Sequence, residues 1–134
     1  MADTVTSQTI LDGDRLCVMK FTNVSDGTGE ADVNKVDVSA LTARSRDGAV
    51  CTGVSIRKIW FWTAGMSVNV EWDATTDVLI TTLPADREGH YDFSSFGGIP
   101  NNGGAGKTGD VFFTTVGHTL ADTYTVILEM TKNY

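Results

Sequence analysis

Every second residue between 66 and 72 is apolar. Met66, Val68, Val70 and Trp72 fall on one side of an extended chain, and Ser67, Asn69 and Glu71 on the other. Side chains that alternate in this way share a face only in a β-strand; a helix would scatter them around its axis. The rhythm returns near the C-terminus, where Tyr124, Val126, Leu128 and Met130 alternate with Thr123, Thr125, Ile127 and Glu129. Both segments read as strands with one buried and one wet face. No stretch sustains a helical period, and a helical turn fits only at residues 39–44 and 85–89.

Other runs are apolar on both sides. In "VSIRKIWFWT" (54–63), Ile56, Trp60 and Trp62 share one face by simple alternation, and Ile59 and Phe61 the other. That suits a central strand, or one packed against a neighbouring subunit. Residues 16–22, 33–38, 78–83 and 111–116 complete the set, with 4–11 as an N-terminal arm or edge strand. Asp12-Gly13, Asp26-Gly27, Asp47-Gly48 and Ala64-Gly65 punctuate these runs with turn chemistry. The stretch 63–66 reads as a short hairpin. About eight short strands with frequent turns predict an all-β fold, an antiparallel β-sandwich that is jelly-roll-like. The expected organisation is a single domain over residues 1–134, with an arm at 1–12 and a long loop at 84–109.

The chain has 134 residues and a formal net charge of −7. It is long enough for one core without metal or disulfide staples. An acidic chain with no basic stripe repels phosphate backbones, which argues against a nucleic-acid partner. The first residues show neither a basic nor an apolar leader region, and no stretch reaches membrane-spanning length, so synthesis in a cytoplasm and no membrane partner are expected. Cys17 and Cys51, the two cysteines, lie in apolar runs without metal-binding spacing and read as buried free thiols.

Several motifs invite a chemical reading. "NNGGAGKTGD" (101–110) holds Gly106-Lys107-Thr108, but the first glycine of a phosphate loop would fall on Asn101, and a β-rich run follows in place of a helix. It reads as a loop. Asp86, Glu88, His90 and Asp92 would point the same way if extended, but their spacing matches no defined metal loop. Asp26, Thr28 and Glu30 offer oxygens at alternate positions, and a glycine-rich turn explains them. His90 and His118 have Ser94 and Ser95 as candidate nucleophiles, without an elbow motif. No enzyme activity and no cofactor are expected. Trp60, Trp62 and Trp72 read as core, whereas Phe93 and Phe96 lie in the long loop.

Three segments carry a resemblance: "KFTNVSDGTGEADVNKVDVSAL" (20–41), "IRKIWFWTAGMSVNVEWDATTDVLI" (56–80) and "YDFSSFGGIPNNGGAGKTGDVFFTTVGHTLADTYTVILEMTK" (91–132). Together they resemble small structural proteins of tailed bacteriophages. The resemblance implies a virion component, with no catalytic motif to carry over. Its size and β content suit a capsid cement or decoration protein that binds the head shell through the major capsid protein. A tail, baseplate or head-to-tail connector component is the alternative, as is a host-surface or glycan-binding module. A shell component is expected to be a homo-oligomer, a dimer or trimer. Phe93, Phe96 and Ile99 are the expected partner-binding anchors.

Overall fold

Alternation is realised in nine segments. In the computed structural model, which describes residues 3–134, these are β1 (Thr4–Asp12), β2 (Leu16–Asp26), β3 (Val33–Val36), β4 (Gly53–Ala64), β5 (Ser67–Trp72), β6 (Val78–Leu83), β7 (Glu88–Asp92), β8 (Val111–Val116) and β9 (Leu120–Asn133). They form a five-stranded sheet in the order β1-β2-β9-β4-β7 and a four-stranded sheet in the order β3-β8-β5-β6. Every pairing is antiparallel. The protein is an antiparallel β-sandwich. Its pairings are nested: β5 with β6, β4 with β7, β3 with β8 and β2 with β9.

The core lies between the sheets and follows the alternation. β9 sends Tyr124, Val126, Leu128 and Met130 inward, and β5 sends Val68, Val70 and Trp72, all buried. Phe21 meets Phe113 edge-on at 5.3 Å between ring centres, and Phe113 meets Tyr124 at 5.8 Å. Each large apolar side chain so buried contributes about 1.5–3 kcal/mol. The space between the sheets is thus filled by side chains. The expected helical turns shift: Val38–Ala40 and Ser94–Phe96 are single 3-10 turns, whereas residues 85–89 make a turn and the start of β7.

β4 departs from simple alternation. Its register on β9 slips between Ile56 and Lys58, so that Arg57 is an extra residue, a β-bulge. The bulge reverses parity along the strand. Val54 and Ile56 face the core before it, and Ile59, Phe61 and Thr63 after it, all buried. Ile56 therefore does not share a face with Trp60 and Trp62. Those two tryptophans point away from the core: Trp62 is 45% exposed and Trp60 half-buried, against 0% exposure for Trp72. Of the three expected core tryptophans, only Trp72 is one.

The segment 63–66 is a corner, not a hairpin, because β4 and β5 belong to different sheets. Both strands carry a largely apolar inward face, and alternation alone cannot distinguish neighbours in one sheet from partners across the core. Gly65 makes the corner at φ +85, where a Cβ would collide with the Asp122 carboxylate. The 84–109 stretch is only partly loop. It contains β7 and, past the Phe96 turn, a bridge in which Ile99 donates to the Ile56 carbonyl at 2.7 Å and Ile56 to that of Ile99 at 3.0 Å. The expected N-terminal arm is an edge strand, β1, paired with β2; Met1 and Ala2 lie outside the described residues.

Candidate functional site

The outer face of the five-stranded sheet carries an aromatic cluster where β4 meets β7. Register places Lys20, Ile127, Trp60 and His90 in one row across the sheet, and Thr6, Thr22, Thr125, Trp62 and Glu88 in the next. Thr6 and Thr22 share a hydrogen bond between their hydroxyls. The Trp60 and His90 rings stack at 4.9 Å and 11°. The Trp62 indole N–H donates to Glu88 Oε2 at 3.1 Å. One ring face of Trp60 is therefore covered, and Trp62 offers the more open surface.

A chain of aromatic rings leads from the core to the surface. Phe61 contacts Tyr91 at 5.4 Å, Tyr91 contacts Phe93 at 6.1 Å, and Phe93 contacts Phe96 at 6.1 Å. The three expected anchors are unequal. Phe93 and Ile99 are half-buried against the core, while Phe96 is 66% exposed at the tip of the 3-10 turn. The turn is tied down by Phe93 N–H to the Arg57 carbonyl at 2.8 Å and Gly98 N–H to the Phe93 carbonyl at 3.0 Å. Asp92 Oδ1 accepts from Ser94 N–H at 2.8 Å, which holds the Asp92 carboxyl below its usual range, the Ser94 hydroxyl contributing most. Phe96 is thus a single aromatic held out on a firm support.

The remaining motifs resolve into local structure. Thr108 hydroxyl donates to Asp73 Oδ2 at 2.6 Å, and Thr75 N–H to the Ala105 carbonyl at 3.1 Å, so the glycine loop is laced to the β5–β6 turn and runs into β8. Asp86, Glu88, His90 and Asp92 do not converge. Asp86 accepts from Gly65 N–H at 2.7 Å, and the other three lie at alternate positions along β7 with the separate partners named above. His90 stacks on Trp60, away from any serine hydrogen bond among the described residues. Asp26 caps its own turn through Thr28, with hydroxyl to carboxylate at 2.6 Å, while Glu30 turns inward. His118 is half-buried, its Nδ1 3.3 Å from the Thr115 hydroxyl.

Three charged groupings leave no mark in the sequence. Glu30 is buried; its carboxylate accepts from Lys35 Nζ at 2.6 Å, Asn23 Nδ2 at 2.9 Å and the Tyr124 hydroxyl at 2.5 Å. Burial and then that bond push the Tyr124 phenol up. Lys132, its side chain fully buried, donates to Asp12 at 2.7 Å and to the Gly13 and Thr42 carbonyls at 2.9 and 2.6 Å. Arg15, Arg44, Arg46 and Tyr134 line a surface hollow of about 390 Å³ beside it. Within that hollow Asp14 accepts from Ser45, and Arg44 is engaged by Asp47 at 2.7 Å. On the outer face of the four-stranded sheet, Asp32, Glu71 and Asp77 bring carboxylate oxygens within 4.8 Å of one another. Burial pushes the Glu71 carboxyl up, and the Asp32 charge adds to this, opposed by the Thr114 hydroxyl donating at 2.7 Å. Asp32 and Asp77 precede β3 and β6 and Glu71 lies in β5, so their gathering depends on which strands pair and leaves no signal in the sequence.

The sandwich has four open sheet edges, and β1 differs from the rest. Its residues Thr4 to Leu11 are all exposed on both faces. β3 has four residues, β7 has five, with Glu88 and Asp92 at its ends, and β6 is bulged at Ile80. No family model matches the chain, and no curated protein is significantly similar to it.

Proposed function

We propose that this chain is a non-enzymatic structural protein of a tailed-bacteriophage virion, a cement subunit that binds the head shell through the major capsid protein. The observation that carries the reading is the nested pairing of β2 with β9, β3 with β8, β4 with β7 and β5 with β6. A long hairpin of eight strands rolled over itself has this connectivity, which supports a jelly roll, a fold common in viral shells and also in lectins. Fold alone assigns no role; the resemblance of segments 20–41, 56–80 and 91–132 to phage structural proteins favours the shell. Phe96 on its braced turn supplies an anchor, and the open β1 edge a second surface. The subunit would add buried area across lattice joints and oppose internal pressure.

Purified particles of the phage that encodes the chain test this directly, by quantitative mass spectrometry and by labelling in electron micrographs. Hundreds of copies on the head are expected. About six to eighteen copies at one vertex would instead mark a connector or tail component, by symmetry. Absence from particles overturns the reading. Phe96→Ser should lower occupancy on heads without unfolding the free subunit.

A second reading, a glycan-binding module on a tail, draws support from the exposed Trp62 and its neighbour Trp60. Sugar binding by the purified protein that is lost in Trp62→Ala would favour it over cement.

A further inference from the structure

We propose that β1 is a docking edge and that its occupant is the β1 strand of a second copy, paired antiparallel about a two-fold axis. An open edge presents alternate N–H and C=O groups with no partner, and proteins usually guard such edges with charge, proline, bulges or brevity. Three of the four edges here are guarded in that way. β3 is four residues long, β7 is short and carries Glu88 and Asp92, and β6 is bulged and followed by Pro84. β1 runs for nine residues, and from Thr4 to Leu11 it holds neither a charge nor a proline. Its bulge lies at Ile10, which leaves Thr4 to Thr9 in regular register with β2.

Charge selects the occupant. The chain carries −7 overall, so two copies repel wherever acidic surfaces meet. β1 is where they approach with least of that cost, only the long-range repulsion of the two net charges remaining. The aspartates at its ends are already engaged: Asp3 accepts from Asn23 at 3.1 Å and from Asp26 N–H at 3.1 Å, and Asp12 pairs with Lys132. An uncharged strand also offers nothing to select a foreign strand of opposite sign.

Geometry agrees. A two-fold axis between antiparallel strands keeps each residue opposite one on the same face. Centred on Thr6, it sets Thr6 against the partner's Thr6, Thr4 against the partner's Gln8, and Val5 against the partner's Ser7. Threonine and serine pairs of this kind favour sheet pairing. The contact joins both five-stranded sheets into one and closes as a dimer, which narrows the expected dimer or trimer to the former. It holds or fails independently of where the protein resides.

Sedimentation velocity on the purified chain is expected to show a monomer–dimer equilibrium that shifts toward dimer as salt rises, since screening relieves repulsion. Ser7→Lys places like charges near the axis and should weaken the dimer by about tenfold or more. Single cysteines at positions 4, 6, 7 and 9 provide a second arm that does not depend on that variant folding. A symmetric disulfide should form at Thr6→Cys, where the two copies of the residue face each other within bonding range, and fall away at Ser7→Cys, Thr4→Cys and Thr9→Cys, whose own copies lie progressively farther apart. The native thiols are buried and do not compete. The proposal is overturned by a chain that stays monomeric up to ~0.5 mM, a concentration far above specific dimer affinities. A monomeric chain overturns it even if another virion protein's strand is found on β1. A dimer that survives Ser7→Lys, or one that salt dissolves, also overturns it.

Discussion

Lys132 shows at the scale of one residue how a buried charge is tolerated. Burial by itself would lower its pKa, but the hydrogen bond and charge of Asp12 outweigh that and hold it raised. The Asp12 carboxyl is held low by Lys132 and Thr42 against the opposing effect of burial. A depressed acid stabilises the fold above its unfolded pKa and loses that contribution as pH falls through the folded value. A raised base stabilises below its unfolded pKa and loses it as pH rises through the folded one. The pair should therefore support a stability plateau from weakly acid to weakly basic pH, measurable by urea unfolding across pH. Asp12→Asn leaves the ammonium buried without a counter-charge and should cost about 3 kcal/mol at pH 7, the low end for a broken buried pair, since two carbonyls remain. The cysteines give a quieter case. Burial, with Asp12 nearby, pushes the Cys17 thiol up to about 11; because both thiols are buried, a disulfide-exchange reagent should label neither until the protein unfolds. Buried free thiols were legible from the apolar runs around Cys17 and Cys51. The Lys132 pairing was not, because it joins chain segments more than a hundred residues apart.

At the scale of elements, legibility depended on regularity. β5 and β9 keep strict alternation, and each buried residue read from them is buried in the fold. β4 hides one extra residue, Arg57, and everything after it changes face; Trp60 and Trp62 are on the outside for that reason. A bulge leaves no mark in a sequence when both faces of the strand are apolar. The turn bearing Phe96 was equally hidden, since its support comes from hydrogen bonds to the bulged stretch of β4. Gly98 closes that turn at φ +100, with a Cβ position 2.8 Å from the Ile56 carbonyl oxygen. Gly98→Ala should destabilise by roughly 1–3 kcal/mol, the cost of forcing a side chain into this conformation. Thermal unfolding measures the loss. Phe96→Ser, at an exposed position, should stay within about 0.5 kcal/mol of the parent. If the two variants cost the same, Phe96 is part of the core and not an anchor.

For the whole molecule, the nested order has a consequence in time. The centre of the five-stranded sheet is β9, held between β2 and β4, and β9 comes after both of them in chain order. Neither neighbour can complete its ladder until β9 has emerged from the ribosome. Refolding should accordingly be slow, in the range of about milliseconds to seconds typical of non-local β-proteins, and stopped-flow tryptophan fluorescence can time it. A truncated product lacking residues 120–133 leaves two long apolar strands with a gap between them, and should be recovered as aggregate or protease fragments. Folding would then act as a proofreading step on translation, with only chains that carry β9 reaching the folded form.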